Sequence, residues 1–262
     1  MASSSTGPTA SDGSLHPDRR LPTFERDVRR MFASIVDRYD AFNHLATFGQ
    51  DLLWRPRALW EVTRFRRRPV RDVLDFGCGT GALARLLTLH FPGARVVGVD
   101  FSGEMVRRAQ RLSGRRGTGA TPRYAVANVG RLPFPDGTFD LATSAFVARN
   151  LTDLSAAFRE LRRVLRPGGT LLTLEISEPK TPSVARLFHA HFDRAVPLLG
   201  RAFDREGPYS YLSESLRSFP SGARLTALLT QAGFPRNELR AMSLGVVTAY
   251  LSEASSASDA RG

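Results

Sequence analysis

A run of alternating glycines is the feature of this sequence with the clearest chemistry: Asp75-Phe76-Gly77-Cys78-Gly79-Thr80-Gly81. It follows a short apolar stretch typical of a buried strand, and an apolar helical pattern begins after it. Glycine lets a backbone turn sharply and approach a ligand closely, and a helix start offers free N–H groups and a positive dipole. This segment, the glycine loop, is therefore predicted to bind a nucleotide-like cofactor.

Two cofactors compete for the glycine loop. Gly77, Gly79 and Ala82 satisfy the G-x-G-x-x-A pattern of dinucleotide-binding proteins, so a dehydrogenase is one alternative. The carboxylate of Asp75, at the strand end before the first glycine, would crowd a pyrophosphate but could receive the ammonium group of S-adenosylmethionine, directly or through water. We therefore favour S-adenosylmethionine, and the remaining alternative is a glycine turn with only a structural role.

Polar residues also follow the next two predicted strands. Asp100 ends the second strand, where an acid can accept hydrogen bonds from both ribose hydroxyls of a nucleotide, although it could equally cap the helix that begins after Ser102. Asn128 follows the third strand, and its carboxamide could bond the adenine amino group, although asparagine is also an ordinary turn residue. These two side chains extend the predicted cofactor site along the strand ends.

Alternating strand-like and helix-like segments must position these side chains. Predicted strands cover 73–76, 95–100, 122–127, 139–146, 170–176, 238–243 and 246–251. Predicted helices cover 52–66, 82–91, a segment after Ser102, 152–165, 183–203 and 223–232, behind a first helical segment at 23–48. Such alternation implies an α/β fold with a largely parallel sheet. We predict one domain at 21–252, with an N-terminal helical lid at 21–68 and a helical insertion at 178–219. Flexible tails are predicted at 1–20 and 253–262.

The composition excludes several protein classes. Of the 262 residues 42% are hydrophobic, enough for a substantial core, and no apolar run approaches the roughly 18 residues of a membrane span. One cysteine allows no internal disulfide and the N-terminus lacks a secretory signal, so we expect a soluble, cytoplasmic protein. The net charge of +12 is almost wholly arginine, since Lys180 is the only lysine. This bias indicates either genomic base composition or a nucleic-acid or anionic-membrane partner.

Five further segments have distinctive sequences: YDAFN at 39–43, TFGQDLLWR at 47–55, RNLTD at 149–153, RVLRPGG at 163–169 running to LEIS at 174–177, and YLSES at 211–215. Together with the glycine loop, they resemble the class I S-adenosylmethionine-dependent methyltransferases, and more narrowly the ubiquinone/menaquinone C-methyltransferase family (UbiE/MenG). The resemblance spans about 27–251. It implies a Rossmann-like fold, with a seven-stranded, mostly parallel sheet that carries helices on both faces.

The resemblance implies S-adenosylmethionine-dependent C-methylation of a reduced prenylated quinone, demethylmenaquinol above all. The implied cofactor contacts are Asp75, Gly77, Gly79, Thr80, Asp100, Asn128 and Val129. Arg149 and Asn150 are implied as the catalytic pair. Because they follow the fourth strand we expect them to face the cleft, where a guanidinium could stabilise a phenolate or order a water. The alternative for Arg149 is an ion pair with Asp153, four residues further along the helix start.

Aromatic and polar residues are predicted to form a lid over the quinone ring: Tyr39, Asp40, Asn43, Trp54 and Tyr211. Ordinary helix packing is the alternative for Trp54. His189 and His191, with Asp193, look like metal ligands. However, positions i and i+2 of a helix do not share a face, so we predict no metal site.

A prenylated quinol substrate predicts peripheral contact with the inner face of the membrane, and we expect no nucleic-acid partner. The segment at 185–201 mixes apolar and cationic residues, and an arginine run could add attraction to anionic lipid: Arg64, Arg66, Arg67 and Arg68. A solvated face is the alternative for that run. Two alternative functions stay open: a natural-product O- or C-methyltransferase acting on another phenol, and a basic nucleic-acid-binding protein with a vestigial fold.

Overall fold

The structure is a computed structural model, and it describes residues 24–114, 121–196, 198–199, 219–220 and 222–256. Tyr211 and most of the second half of the predicted insertion lie outside the described residues, as do the predicted N-terminal tail and residues 257–262 of the C-terminal one. The described part contains the glycine loop and all of the other predicted site residues.

In this part of the chain, seven strands form one sheet in the order β3-β2-β1-β4-β5-β7-β6. The strands are β1 (Asp72–Phe76), β2 (Arg95–Asp100), β3 (Arg123–Val126), β4 (Phe139–Ala145), β5 (Leu165–Ile176), β6 (Arg236–Met242) and β7 (Val247–Glu253). Neighbours pair in parallel except at β7, which runs antiparallel to both β5 and β6. The strand order reverses between β1 and β4, and ligands of such sheets bind outside the carboxyl ends at this point.

Helices cover both faces of the sheet, which confirms the predicted fold class. They are α1 (Phe24–Ile35), α2 (Tyr39–Ala46), α3 (Asp51–Phe65), α4 (Ala82–His90), α5 (Gly103–Gly114), α6 (Leu154–Val164), α7 (Pro182–Ala190) and α8 (Gly222–Gln231). One apolar core contains residues of α3, α4 and α7, and a second core contains residues of α6 and α8.

Helix α6 shows how local sequence sets an element. Its buried residues recur every three or four positions, so one apolar stripe faces the sheet: Leu154, Ala157, Phe158, Leu161 and Val164. Asp153 caps the helix by accepting a hydrogen bond from the backbone N–H of Ala156 at 2.9 Å. The cap fixes where the chain leaves the loop after β4, and that loop carries Arg149 and Asn150.

Three predicted boundaries differ from the structure, two of them because of tertiary pairing. Strand β5 begins at Leu165 rather than 170, because Leu165 already pairs with Phe139 before a register shift at the Pro-Gly-Gly segment. The predicted C-terminal tail starts too early, because β7 pairs through Glu253 and Ala254 is buried. The helix expected at 183–203 changes to a π-helical turn at His191–Ala195.

Candidate cofactor and substrate site

A cavity of about 580 Å³ opens at the carboxyl ends of β1, β2 and β4. Its walls come from the lid helices α1 and α2, the glycine loop, the tip of β2, the loop after β3 and the segment between β4 and α6. The predicted site residues that line it are Tyr39, Gly77, Gly79, Asp100, Asn128, Val129 and Asn150. A pocket of this size is typical of sites for cofactor-sized ligands.

The glycine loop needs glycine for two separate reasons. Gly77 and Gly79 both adopt left-handed backbone conformations, with φ of +60° and +52°, which L-residues with a side chain rarely tolerate. A Cβ at Gly77 would overlap the Val147 side chain, whereas a Cβ at Gly79 would meet no atom within 4 Å. Gly77 therefore allows close packing behind the loop, and Gly79 leaves free space on the cavity side.

Asp100 connects the glycine loop to the tip of β2. One oxygen, Oδ2, accepts the Gly79 N–H at 2.9 Å, and Oδ1 accepts the Ser102 N–H at 2.9 Å. Asp100 therefore lines the cavity, whereas the cap of α5 is Ser102, whose Oγ accepts the Met105 N–H at 3.4 Å. The contact of Asp100 with ribose hydroxyls stays a prediction. Burial raises the pKa of Asp100. Each carboxylate oxygen retains acceptor capacity for a ligand hydroxyl.

Asp75 lies in the sheet behind the cavity wall. It is fully buried and accepts a hydrogen bond from Thr143 Oγ1 at 3.0 Å, while its Oδ2 atom has no hydrogen-bond partner among the described residues. Burial raises its pKa to about 7, and the negative charge of Asp100 adds to the rise. An unsatisfied buried oxygen at this place favours a cationic partner.

Two other predicted cofactor contacts have structural roles in the described conformation. Thr80 does not line the cavity, because its hydroxyl donates to Asp40 Oδ1 at 2.9 Å and so ties the glycine loop to helix α2. Asn128 lines the cavity, and its Oδ1 also accepts the Gly130 N–H at 2.8 Å, as in an ordinary turn. Its role as a turn residue therefore leaves the predicted contact with adenine possible, since the side chain still lines the cavity.

Asn150 reaches the cavity from a short 3₁₀ turn after β4, Ala148–Asn150. Its Nδ2 donates to the Phe146 carbonyl at 3.4 Å, and its buried Oδ1 has no hydrogen-bond partner within the described chain. A buried carboxamide oxygen at a cavity wall can accept a hydrogen bond from a ligand hydroxyl.

Arg149 was predicted to face the cavity, but it does not line it. Its side chain is buried, with Cζ 5.7 Å from the centre of the Phe146 ring and Nη1 3.8 Å from Glu175 Oε2. The 3₁₀ turn directs successive side chains to different sides, so Asn150 points to the cavity and Arg149 points behind it. Phe146 lines the cavity and also packs against the Arg149 guanidinium, and its backbone is strained, with a φ of +64°.

Glu175 on β5 is a residue that sequence reasoning missed. It is fully buried, and its Oε1 accepts the Ala148 N–H at 2.6 Å, so it holds both the backbone of the 3₁₀ turn and the Arg149 guanidinium. Burial raises its pKa to about 7, although Arg149 acts to lower it. The available signal was a carboxylate inside an otherwise apolar and threonine-rich strand, where a charge needs a partner.

The lid residues come together only in part. Tyr39 lines the cavity and is hydrogen-bonded by Asn43, which does not line it. Trp54 lies outside the cavity wall, where its ring packs 5.9 Å from Phe146 and its Nε1 donates to Ser243 Oγ at 2.8 Å. Two unpredicted residues of α1, Val28 and Phe32, complete the lid side of the cavity.

The two histidines bind separate partners. His189 contacts Glu178 at 2.9 Å and Asp193 at 3.4 Å, whereas His191 Nε2 lies 2.7 Å from the Ala46 carbonyl. Across the described ranges, no three histidine, cysteine or acidic side chains group as metal ligands would.

Comparison with known proteins agrees with the fold and identifies the family. A methyltransferase of known structure from Thermotoga maritima, described as SAM-dependent, shares the fold with a TM-score of 0.61 at 18% identity, covering 86% of this chain and 99% of that one. The demethylmenaquinone methyltransferase of Thermus thermophilus is 40% identical over 85% of this chain and 99% of its own length. The ubiquinone/menaquinone biosynthesis C-methyltransferase UbiE of Geobacter sulfurreducens is 37% identical over 89% and 91%.

A sequence model described as the ubiE/COQ5 methyltransferase family matches residues 22–253, which is nearly the whole chain. The glycine loop, Asp100 and the cavity lie together at the carboxyl ends of the strands, where ligands of such sheets bind. The chain is therefore an S-adenosylmethionine-dependent methyltransferase and belongs to the ubiE/COQ5 family.

Proposed function

We propose that this protein methylates a ring carbon of a reduced prenylated quinone, with demethylmenaquinol as its substrate. The observation that carries the proposal is the match to the Thermus thermophilus demethylmenaquinone methyltransferase, at 40% identity over 99% of that protein. Relatives named for both the ubiquinone and the menaquinone series, such as the one from Geobacter sulfurreducens, make a benzoquinol the second substrate to compare.

The described residues fit S-adenosylmethionine. The cofactor supplies a methyl group that its positive sulfur already activates. Asp100 would accept the ribose hydroxyls, and Asn128 and Val129 would contact the adenine from the loop after β3. The unsatisfied Oδ2 of Asp75 would neutralise the ammonium group from behind the glycine loop, directly or through water.

The substrate end of the cavity is formed by Phe146, Asn150 and Tyr39. Phe146 and Tyr39 provide aromatic surface for a flat ring. The unsatisfied Oδ1 of Asn150 would accept a hydrogen bond from the quinol hydroxyl and so fix which ring carbon faces the methyl donor. Orientation of this kind can lower a barrier by several kcal/mol, up to about 7–11 in intramolecular models.

Arg149 would act on charge rather than as a base, because an arginine pKa above about 12 leaves no deprotonated form at neutral pH. Transfer of the phenolic proton to water pushes electron density onto the ring carbon, and the charge of a guanidinium close behind Phe146 would favour the resulting phenolate. Once that carbon carries the new methyl group, its ring proton is lost to water as well, which restores the aromatic ring. Glu175 would position Arg149 by holding both its guanidinium and the backbone of its turn.

Parallel methylation assays test the substrate. Purified protein with S-adenosylmethionine is expected to methylate demethylmenaquinol, with a demethoxy-type benzoquinol as the comparison. Turnover of the benzoquinol alone would overturn the menaquinol assignment. Turnover of neither quinol, with intact binding of S-adenosylmethionine in calorimetry, would overturn the quinol proposal while leaving the cofactor site in place.

Arg149→Ala and Arg149→Lys test whether the positive charge of Arg149 contributes to catalysis. Both variants should keep their affinity for S-adenosylmethionine, because Arg149 does not line the cofactor cavity. Arg149→Ala should lose about 100-fold or more in kcat, and Arg149→Lys should recover part of that loss. Unchanged kcat in Arg149→Ala would remove this residue from the mechanism.

Peripheral membrane contact is part of the same proposal. None of the described helices is both long and apolar enough to cross a bilayer. Substrates with a prenyl tail must then be taken from the surface of the membrane, which requires a surface of the protein that meets lipid.

A further inference from the structure

Exposed apolar side chains are concentrated at one place in the described structure. Eleven large apolar side chains of the described residues are exposed, and six of them come from three places: the end of α2 with the turn and the start of α3 that follow, the β6–β7 turn, and the exposed side of α7. We call these six the apolar rim: Leu45, Phe48, Leu52, Leu53, Leu187 and Leu244. Soluble proteins rarely group such residues without a partner surface.

Polar contacts hold the parts of the apolar rim side by side. Ser243 Oγ accepts from Trp54 Nε1 at 2.8 Å and donates to Gln50 Oε1 at 2.9 Å, which fastens the β6–β7 turn to the start of α3. The Phe48 ring lies 5.1 Å from the ring of His191, one helical turn beyond Leu187. Three segments far apart in sequence therefore present one surface.

Backbone strain supports a role for the two most exposed members. Phe48 and Leu244 adopt left-handed conformations, with φ of +51° and +58°. Such a conformation costs a residue with a side chain about 1–2 kcal/mol, and glycine or asparagine would avoid most of that cost. Their side chains are 77% and 79% exposed, so they recover little of the cost by packing within the described protein. Strain of this kind is typical of functional surfaces.

The apolar rim lies at the same edge of the sheet as the cavity. Val247, which follows the β6–β7 turn, pairs with Ile176 at the carboxyl end of β5. At the start of α3, the Trp54 ring packs on Phe146, which lines the substrate end of the cavity. A ligand tail leaving the cavity at Phe146 would therefore emerge beside the apolar rim.

We propose that the apolar rim inserts into the surface of a lipid bilayer, so that the substrate end of the cavity faces the membrane. The surface has the two components of an interfacial anchor, apolar tips and exposed cations, the latter at Lys180, Arg186 and Arg194 on and around α7. The choice of a bilayer as occupant rests on the proposed function, because a prenylated quinol is dissolved in lipid.

Vesicle binding of the full chain tests the inference. The probe variant is Phe48→Asn with Leu244→Asn, since asparagine tolerates the left-handed backbone and should fold at least as well. The matched control is Leu89→Gln, which removes a side chain that is 70% exposed on α4, away from the apolar rim. Vesicles of phosphatidylcholine, alone and mixed with phosphatidylglycerol, are sedimented with each protein.

We expect the probe variant to partition into both kinds of vesicle about 10-fold less than wild type, and the control to match wild type. It should methylate a water-soluble, short-tailed demethylmenaquinol at the wild-type rate, and lose kcat/KM only for a long-tailed quinol in vesicles. Equal partitioning of probe and wild type would overturn the inference. So would a wild-type dimer that the probe variant splits in light scattering without any vesicle binding.

The same measurements distinguish a failure of the proposed quinol substrate from a failure of the proposed membrane surface. If the wild type bound vesicles through the apolar rim but methylated neither the short-tailed nor the long-tailed quinol, the membrane surface would stand and the quinol substrate would be wrong. If it methylated the short-tailed quinol but ignored vesicles, the quinol would stand and the membrane surface would be wrong.

Discussion

Acidic side chains have different surroundings at the two ends of the strands of the central sheet. At the amino ends of β1, β4 and β5, Asp72 and Asp140 are paired: Arg166 bridges them at 3.0 and 2.7 Å, and Arg95 binds Asp72 at 2.6 Å. At the carboxyl ends, Asp75 and Glu175 are buried with one unsatisfied oxygen each, and burial raises the pKa of both to about 7.

This difference distinguishes two parts of the sheet. We call the amino ends of the strands the scaffold edge and the carboxyl ends, where the cavity opens, the site edge. A carboxylate with full partners contributes to stability, whereas a buried carboxylate oxygen without a hydrogen bond costs free energy. For Asp75 a cationic ligand would offset that cost, and for Glu175 the Arg149 guanidinium at 3.8 Å offsets part of it. The arginine run belongs to the scaffold edge, because Arg67 pairs with Glu253 and Arg68 packs on Gly168. It therefore lies at the opposite ends of the strands from the apolar rim, which includes Leu187. The expectation that the arginine run and the segment at 185–201 meet one membrane surface does not fit the fold.

Among the variants that test this comparison, the largest effect is expected for Asp100, at the carboxyl end of β2. Asp100→Ala removes the acceptor for two backbone N–H groups and for the ribose hydroxyls, so its affinity for S-adenosylmethionine in calorimetry should fall about 100-fold. Asp100→Asn keeps one acceptor and should give an intermediate value. An unchanged dissociation constant in Asp100→Ala would contradict the assignment of the cofactor site.

Glu175→Gln should have the next largest effect, a loss of about 10-fold in kcat with unchanged affinity for S-adenosylmethionine. Because burial raises the pKa of Glu175 to about 7, its carboxyl is ionised, and able to hold Arg149, only above that pH. Wild-type kcat should therefore rise as pH increases through about 7, and this rise should vanish in Glu175→Gln.

Burial also raises the pKa of Asp75 to about 7, so the rise is assigned to Glu175 only by its loss in Glu175→Gln and by two further observations. The Tyr250 pKa is raised to about 12 by burial and by Glu175, so this neighbour stays neutral throughout. Thr173→Val, two residues earlier on the same face of β5, is the matched control and should keep the wild-type profile. Identical profiles in Glu175→Gln and wild type would limit Glu175 to a structural role.

Asp140→Asn should change stability and not activity. Burial acts to raise the pKa of Asp140, but hydrogen bonds from Arg166 and from the Asp72 and Arg71 N–H groups outweigh it and leave the pKa lowered. Removing the charge should reduce the free energy of unfolding by about 1–3 kcal/mol at pH 7. Wild type should lose this advantage as pH falls below the ordinary value of 3.8, because the paired carboxylate then becomes protonated.

Denaturant titrations of Asp140→Asn should be compared with Asp136→Asn, whose carboxylate makes an exposed ion pair with Arg163 at 2.7 Å. The control should differ from wild type by less than about 1 kcal/mol, as exposed pairs do. A loss of methyl transfer in Asp140→Asn, with the fold intact, would contradict the division between scaffold edge and site edge.

The smallest effect is expected for the arginine run. A basic residue close to an anionic membrane contributes about 1 kcal/mol to binding. The double variant Arg67→Gln with Arg68→Gln would therefore lose about 10-fold or more if this run met lipid. Since the run lies at the opposite edge from the apolar rim, we expect a change of less than about twofold with phosphatidylglycerol vesicles. A larger loss would move the membrane surface to the scaffold edge.

Local rules made much of this fold predictable from sequence. The glycine loop, the strand that ends at Asp100 and the helix capped by Asp153 follow from hydrophobic period, turn residues and capping, all of which act over a few residues. Boundaries were wrong where pairing partners far along the chain decide them. Leu165 became part of a strand because β4 lies beside it, and Glu253 because β5 does.

By itself, the sequence determined which residues end the strands, and so which carboxylates and glycines gather at the cofactor cavity. Only the tertiary structure decided where each side chain points. It put Arg149 behind Phe146, gave it Glu175 as a partner 26 residues further along the chain, and joined two strained turns into an apolar rim. The physical reason is that strand ends follow from local pattern, whereas burial, pKa and surface continuity depend on neighbours that only the folded chain supplies.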